Sequence, residues 1–385
     1  MRVAIITENF LPKLDGVTRT LARLLEHLQQ QGHRALLLGP ESGMEHYAEA
    51  EIVGTAGLPL PFYPELKFNF FRPLFIRRLK EFRPDIVHLV DPVVLGAAGL
   101  AAARFLNLPI ISSYHTNLAA YCGHFGFSAF TRPMWSYNRF IHNQCVLTFC
   151  PSPSTAAMLS RQGFEHVRLW PRGVDTDLFQ PSRRSLELRS SWLKNRADDT
   201  AILLYAGRLS WEKNLRLLIQ AYRGMDTTRS HLVIVGDGPA MQDAQQDLAG
   251  LPVTFTGYLS GEQLATAYAS ADIFAFPSTS ETFGQVVLEA MASALPVVGV
   301  HSEGVCDLVR HQQTGLLLNT TAETREQAEH YRALLTTLIE QASTRHIMGQ
   351  AGLLEARQRS WPAAMQHLLS GYNEVIEAAS PLVAA

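Results

Sequence analysis

Two short constellations carry residue types that could hold a diphosphate and a sugar. The first is Glu281-Thr282-Phe283-Gly284-Gln285-Val286-Val287-Leu288-Glu289. It follows a strand-like run at 273–276 and opens a helical segment expected to end near Ala294, before Pro296. Thr282 and Gln285 are spaced as a capping box. A helix N-terminus offers free amides and a partial positive charge, a natural seat for a diphosphate, and Gly284 would let it approach the backbone. Gln285, Glu289 and Ser293 recur on one face of an otherwise apolar helix. A carboxylate there needs partners, and sugar hydroxyls would serve: Glu281 toward the transferred sugar, Glu289 toward the nucleotide ribose. The competing reading makes Glu281 a solvated loop residue and pairs Glu289 with a basic neighbour.

The second constellation is Gly207-Arg208-Leu209-Ser210-Trp211-Glu212-Lys213-Asn214, directly after a strand-like run at 201–206. Two cations beside a helix start could neutralise the charge that builds on a departing nucleoside diphosphate. That would make a metal unnecessary, and none is expected. The bland alternative is a surface salt bridge between Lys213 and Glu212. A third site is the turn Asp15-Gly16-Val17, where Gly16 would admit backbone amides to a ligand. Neither this turn nor Gly236-Asp237-Gly238-Pro239 contains GxGxxG, which argues against an ordinary nicotinamide or flavin site. His115 follows the run 110–113. A lone His there is more often structural than catalytic, but the carboxyl edge of a sheet raises its interest. His88 and Asp91 share that edge.

These residues need a scaffold that brings strand ends together. Short β-branched runs at 3–7, 35–38, 86–90 and 110–113 alternate with helical patterns at 18–31, 74–82 and 95–105. After a polar pause near 179–199 the rhythm resumes with runs at 201–206, 232–235, 253–255, 273–276 and 296–300, and a helical segment at 361–379 closes the chain. This predicts an α/β protein with two doubly wound parallel sheets, since such sheets need helices on both faces. Ligands bind outside the carboxyl ends of such strands. The domains expected are 1–176, with 361–385 returning to it, and 177–360.

The bulk numbers agree. A chain of 385 residues exceeds what one core usually supports, and 47% apolar and 18% charged residues with a net charge of −2 are ordinary for a globular protein. Nothing marks a nucleic-acid binder. The four cysteines form neither a CxxC nor a metal pattern and read as reduced thiols. The chain opens as a strand rather than a signal peptide, and no apolar run is long enough to span a bilayer. A cytoplasmic protein, peripheral on the inner face of the membrane, is expected.

Two segments suggest an acceptor of that kind. Residues 92–164 contain no Asp or Glu but carry Arg104, Arg132, Arg139 and Arg161. Within them, Tyr121, Phe125, Phe127, Phe130, Trp135 and Tyr137 could form an acceptor mouth, with Tyr121, Phe125 and Trp135 the leading candidates. Residues 62–83 interleave seven aromatic with six basic residues, a composition suited to an anionic interface. The alternatives are a buried apolar half-domain for the first and an ordinary basic helix for the second.

Jointly the motifs resemble retaining glycosyltransferase family 4, which has the GT-B fold. The resemblance rests on Asp15-Gly16-Val17, Pro84-Asp85-Ile86-Val87-His88, His115, Arg172-Gly173-Val174-Asp175, Gly207-Arg208 with Glu212-Lys213-Asn214, and Glu281 with Glu289. It implies two Rossmann-like domains facing across a cleft, with the last helix crossing back to the first. A closer likeness at Ser113-Tyr114-His115-Thr116 and Arg168-Leu169-Trp170-Pro171-Arg172 points to the sulfoquinovosyldiacylglycerol synthase branch and the bacterial glycolipid α-mannosyltransferases. The chain reads Ser302-Glu303-Gly304 where the family usually has two adjacent glycines, which leaves the sugar open. By motif, Gly16 contacts phosphate or sugar, Arg208 and Lys213 hold the diphosphate, and Glu281 binds the sugar. Phe283 and Gly284 lie near the phosphate, with Gln285 in the same donor-binding turn, Glu289 binds the ribose, and His115 assists at the reacting face. The resemblance implies retention at the anomeric carbon by front-face substitution, no cofactor, and a UDP- or GDP-sugar donor. The expected function is transfer of a hexose-type sugar to a lipid such as diacylglycerol or a glycolipid. A GDP-mannose-dependent transferase for another glycan or lipid, and a nucleotide-sugar epimerase or hydrolase, are the alternatives.

Overall fold

The computed structural model describes residues 1–12, 15–60, 63–69, 71–124, 126–319 and 324–379. The chain divides into two units. One comprises Met1–Arg172 and the segment from Trp361, the other Gly173–Ser360.

The first unit contains strands β1 (Arg2–Thr7), β2 (Arg34–Pro40), β3 (His46–Tyr47), β4 (Ala50–Thr55), β5 (Gly57–Leu60), β6 (Tyr63–Asn69), β7 (Ile86–Val90), β8 (Ile110–Ser113), β9 (Leu147–Cys150) and β10 (Val167–Leu169). Its main sheet has the order β10-β9-β8-β7-β1-β2-β4-β3, parallel but for the edge strand β3. β1 shows why a sheet covered on both faces reads as an unbroken apolar run. Successive side chains point to opposite faces, so Val3 and Ile5 enter one core layer while Ala4 and Ile6 enter the other. Phe75, Leu79, Leu95 and Leu100, from the helices Pro73–Phe82 and Val94–Phe105, cover the second layer. The first is covered by Gly16–Gln30 and by the C-terminal helix Trp361–Ala379, which inserts Met365, Leu368, Leu369, Tyr372 and Val375 at helical spacing.

The second unit has one parallel sheet of β11 (Ala201–Ala206), β12 (Ser230–Val235), β13 (Val253–Gly257), β14 (Ile273–Phe276), β15 (Val297–Val300) and β16 (Gly315–Leu318). Its order is β13-β12-β11-β14-β15-β16. The chain moves outward from β11 to β12 and β13, then returns past β11 to β14. The loops that follow β11 and β14 therefore diverge to opposite faces and leave a crevice between them, the topological switch point where ligands of open sheets bind. Those are the two loops that carry Arg208, Lys213 and Glu281. In the first unit the corresponding switch lies between β1 and β7, whose loops carry Gly16 and Asp91.

The aromatic and basic segment 62–83 is more than a helix. β5 and β6 pair as an antiparallel hairpin before the helix Pro73–Phe82. Among the described residues, no helix is long and apolar enough to cross a membrane.

Candidate active site

In the second unit β11 ends at Gly207, and the Tyr205 hydroxyl donates to the Arg208 carbonyl at 2.9 Å, which shapes the start of the loop. A 3-10 turn, Trp211–Lys213, follows, and Asn214 turns left-handed at φ 55° to begin the helix Leu215–Arg223. The Asn214 side-chain amide donates to the Pro277 carbonyl at 3.1 Å and so ties this loop to the one after β14. The same two loops are joined by Lys213 Nζ, which donates to Glu281 Oε1 at 2.7 Å, both side chains being less than one-fifth exposed. Ser278 Oγ donates to the same carboxylate oxygen at 2.8 Å. Glu212, the sequence alternative as Lys213's partner, instead accepts from Ser210 Oγ at 2.6 Å. Glu281 is accordingly a positioned carboxylate rather than a solvated loop residue.

The helix after Glu281 spans Gln285–Ala292. The expected Thr282–Gln285 capping box is not formed. Gly284 is the N-cap, left-handed at φ 91°, with no side-chain cap hydrogen bond. Gln285 Nε2 donates to the Gly173 carbonyl at 3.0 Å instead of folding back onto Thr282. A left-handed glycine gives the chain the sharp entry that a capping residue would otherwise provide. The helix also ends two residues before Ala294, with Ser293 as C-cap. Glu289 is buried, and its Oε2 accepts from the Tyr268 hydroxyl of the helix Gly261–Ser270 at 3.3 Å. The loop after β15 abuts this entry. A Cβ on Gly304, at φ 73°, would fall 2.7 Å from the Phe283 backbone nitrogen, so only glycine allows the approach. Ser302 Oγ donates to the Ser278 carbonyl at 3.1 Å. The Ser302-Glu303-Gly304 variation is thereby linked through Ser278 to Glu281.

In the first unit Gly16 opens the helix Gly16–Gln30. Asp15 and Thr18 form a reciprocal capping box, each side chain 2.9 Å from the other's backbone amide. A Cβ on Gly16 would meet nothing within 4 Å, so this glycine borders open space. At the β7 and β8 ends, Asp91 is buried and accepts from the His115 amide at 2.6 Å, the Thr116 amide at 3.1 Å and Thr116 Oγ1 at 2.6 Å. Burial pushes its carboxyl up to about 6, against these hydrogen bonds. The His115 ring is engaged at both nitrogens: Nε2 lies 2.8 Å from Ser113 Oγ and Nδ1 2.9 Å from an Arg172 guanidinium nitrogen. Ser113 Oγ also lies 2.8 Å from His88 Nε2, and His88 Nδ1 lies 2.7 Å from the Tyr372 hydroxyl. Arg172 and Tyr372 were not legible as site residues, because no local spacing relates them to His115, and the bridging role of Ser113, two residues before His115, was not read either.

Of the acceptor candidates, Phe125 and the Tyr121 side chain lie outside the described residues. Trp135 is half-buried, stacked on Tyr114 with ring centroids 6.5 Å apart and edge-on to Phe164 at 6.2 Å. The aromatics open to solvent nearby are Phe127, Phe130, Tyr137 and Phe140, with Phe130 and Phe140 more than 60% exposed. At the amino ends of β1 and β2, Arg2, Arg34, Arg77, Lys80 and Arg83, with the Glu81 carboxylate among them, line a shallow cavity of about 510 Å³.

Comparisons with known proteins agree with this architecture. Residues 14–178 match Glycosyltransferase Family 4, and residues 200–337 match Glycosyl transferases group 1. A GDP-mannose-dependent alpha-mannosyltransferase of Corynebacterium glutamicum is 36% identical over 98% of this chain and 89% of its own length. The sulfoquinovosyl transferase of Arabidopsis thaliana is 34% identical over 91% of this chain and 69% of its own. Among solved structures, sucrose-phosphate synthase from Thermosynechococcus elongatus superposes with a TM-score of 0.80 at 20% identity, covering 98% of this chain and 99% of that one, a likeness of fold. With two Rossmann-like parallel sheets of GT-B type and these matches along its length, the chain belongs to glycosyltransferase family 4.

Proposed function

We propose that the protein is a retaining hexosyltransferase that moves a sugar from a nucleotide-diphosphate donor to a membrane lipid, forming an α-glycosidic bond without a metal. The observation that carries this reading is the Lys213–Glu281 pair at the switch point of the second sheet, beside the amino end of the helix Gln285–Ala292. Donor phosphates placed there meet the free amides near Phe283, Gly284 and Gln285, with Arg208 and Lys213 as counter-charges for the departing diphosphate. Glu281, held by Lys213 and Ser278, is oriented to accept from sugar hydroxyls, and Glu289 from the ribose. By resemblance, Gly16 and His115 are further contacts to the phosphate or the sugar.

A front-face path with retention is supported by how two of the carboxylates are engaged. Asp91 is enclosed by three donors and Glu281 is committed to Lys213 and Ser278, so neither is free to attack an anomeric carbon. The acceptor's proton passes to the leaving phosphate oxygen as the new C–O bond forms and the old one breaks. The lipid acceptor is supported by the exposed Phe127, Phe130 and Phe140 beside Arg132, and by the basic cavity at Arg34 and Arg77. Aromatic and basic side chains together suit an anionic interface, which supports a peripheral position on the inner membrane face. The relationship to a GDP-mannose-dependent mannosyltransferase favours a second reading, mannosyl transfer to another glycan or lipid.

The test is a panel of UDP- and GDP-sugars screened for thermal stabilisation, followed by transfer assays with diacylglycerol, glycolipid and soluble acceptors. A donor that stabilises the protein and yields an α-linked lipid supports the reading. Release of free sugar or of an epimer without an acceptor would replace it.

A further inference from the structure

The polar chain behind His115 is complete enough to assign protons. An arginine guanidinium has only donors, so the 2.9 Å contact from Arg172 requires His115 Nδ1 to be an acceptor. A neutral imidazole then carries its proton on Nε2, which donates to Ser113 Oγ at 2.8 Å. The backbone of the same residue is fixed from the other side by the Asp91 carboxylate. Arg172 is itself held: it donates to the Trp170 carbonyl at 2.6 Å, and its guanidinium lies 4.4 Å from the centre of the Trp170 ring. Both Arg172 and His115 are buried.

We infer that Arg172 is a positioning residue for sugar transfer, locking the His115 imidazole as a neutral ring with its proton on Nε2. This rests on the reading that His115 faces the transferred sugar. A ring so held neither takes up nor releases a proton during the reaction. It contributes a fixed shape against the sugar, and the acceptor's proton is left to the leaving phosphate. Arg172 works in two ways. Its N–H selects the tautomer, and its positive charge opposes protonation of the ring, in the same direction as burial, which is the larger cause. Burial also brings the Arg172 guanidinium down to about 9, so it remains charged at neutral pH.

The groups facing this site from the surrounding elements are His88 on β7, Asp91 after it, Ser113 on β8, His142 on the helix Thr131–His142, Cys150 on β9 and Tyr372 on the C-terminal helix. His88 and His142 are both pulled down to about 3 by burial, so they stay neutral above pH 5. Asp91, near 6, titrates in the working range in wild type and variant alike. Variant kinetics are therefore read as a ratio to wild type at each pH.

The experiment uses the full chain with Arg172→Met, Arg172→Gln, Arg172→Lys and His115→Ala. Ring-nitrogen NMR of histidine-labelled protein, with the His115 signals assigned by their loss in His115→Ala, is recorded with kcat and donor affinity from about pH 5.5 to 8.5. The wild type is expected to show one protonated and one bare His115 nitrogen throughout. In Arg172→Met burial still favours the neutral ring, but the donor to Nδ1 is lost, so the tautomers mix and the two nitrogen signals move toward each other, and kcat falls about 10- to 100-fold with little change in donor affinity. Arg172→Lys, keeping charge and donor, recovers part of the loss. If Arg172→Met does not fold, Arg172→Gln decides by the same signals, since its amide can offer the ring either an N–H or a C=O and so no longer selects one tautomer. A folded Arg172→Met or Arg172→Gln with wild-type kcat and the single wild-type tautomer overturns the inference. Wild-type transfer by His115→Ala overturns the underlying reading instead, and the two failures are distinct.

Discussion

Lys213 Nζ lies 2.7 Å from Glu281 Oε1, although the two residues are 68 positions apart in the chain. The pair exists because β11 and β14 are neighbours in the sheet, so the loops after them share one crevice. It joins the group proposed to meet the diphosphate with the group proposed to meet the sugar, and it frames what substitution there should do.

Replacing Arg208 or Lys213 by alanine should cripple turnover more than folding. Loss of a preorganised contact at a leaving group costs about 2.7–4 kcal/mol, or roughly 10²–10³ in kcat. Steady-state kinetics beside thermal melts check this. Near-normal kcat, or a collapse of the melting transition, would go against the assignment.

Transfer should persist in excess chelator, because Arg208 and Lys213 stand where a metal would otherwise balance the diphosphate. The assay is repeated after dialysis against chelator and again with added magnesium or manganese. Activity that disappears and returns with the ion contradicts the proposal.

Asp91 gives a pH dependence whose sign can be worked out. Its folded-state value, near 6, lies above the ordinary carboxyl value near 4. Protonation is therefore easier in the folded state. The group's contribution to stability is full below about 4 and is lost as pH rises through 6. Asp91→Asn removes this titration. The stability of wild type relative to Asp91→Asn, from denaturant melts, should fall between pH 4 and 6 and level off above. A difference independent of pH would mean that Asp91 does not titrate there.

The membrane contact is tested at Arg77 and Lys80. Arg78 also lies in the basic helix but is paired with Glu51 at 2.8 Å and Glu81 at 3.2 Å, whereas Arg77 meets Glu81 at 3.8 Å and Lys80 lies 5.7 Å from the centre of the Phe105 ring, so reversing Arg78 would break the shorter contacts. Reversal of Arg77 and Lys80 to Glu should weaken sedimentation with anionic vesicles while sparing donor binding. Each basic residue near such a surface is worth about 1 kcal/mol, and salt screens it. Equal binding to neutral and anionic vesicles would remove the electrostatic argument.

Much of the fold was legible because strands buried on both faces leave unbroken apolar runs. β7, β8, β11 and β14 fall where those runs lie. The strands β3, β4, β9, β10 and β16 and the β5–β6 hairpin were not read: Glu51, Thr148 and Arg168 interrupt the apolar run in β4, β9 and β10, and the hairpin's mixed composition suggested a surface. Within the site, Arg208, Lys213 and Glu281 announced themselves by charge at strand ends, but their pairing did not. It depends on strand order, which no local pattern encodes. The His115 network was still less visible. Arg172 is 57 residues from His115, and Tyr372 is 284 from His88. The capping box was misjudged because the left-handed Gly284 is the N-cap, so the helix starts at Gln285 and not at Phe283 as a Thr282 cap would require.

The most direct test of the central claim is the anomeric configuration of the product, read by proton NMR after the protein is incubated with its stabilising nucleotide sugar and lipid vesicles under chelator. The account predicts an α-linked glycolipid from an α-linked donor, formed by the wild type and lost in Lys213→Ala. A β-linked product, or transfer to a soluble sugar with none to lipid, would contradict it.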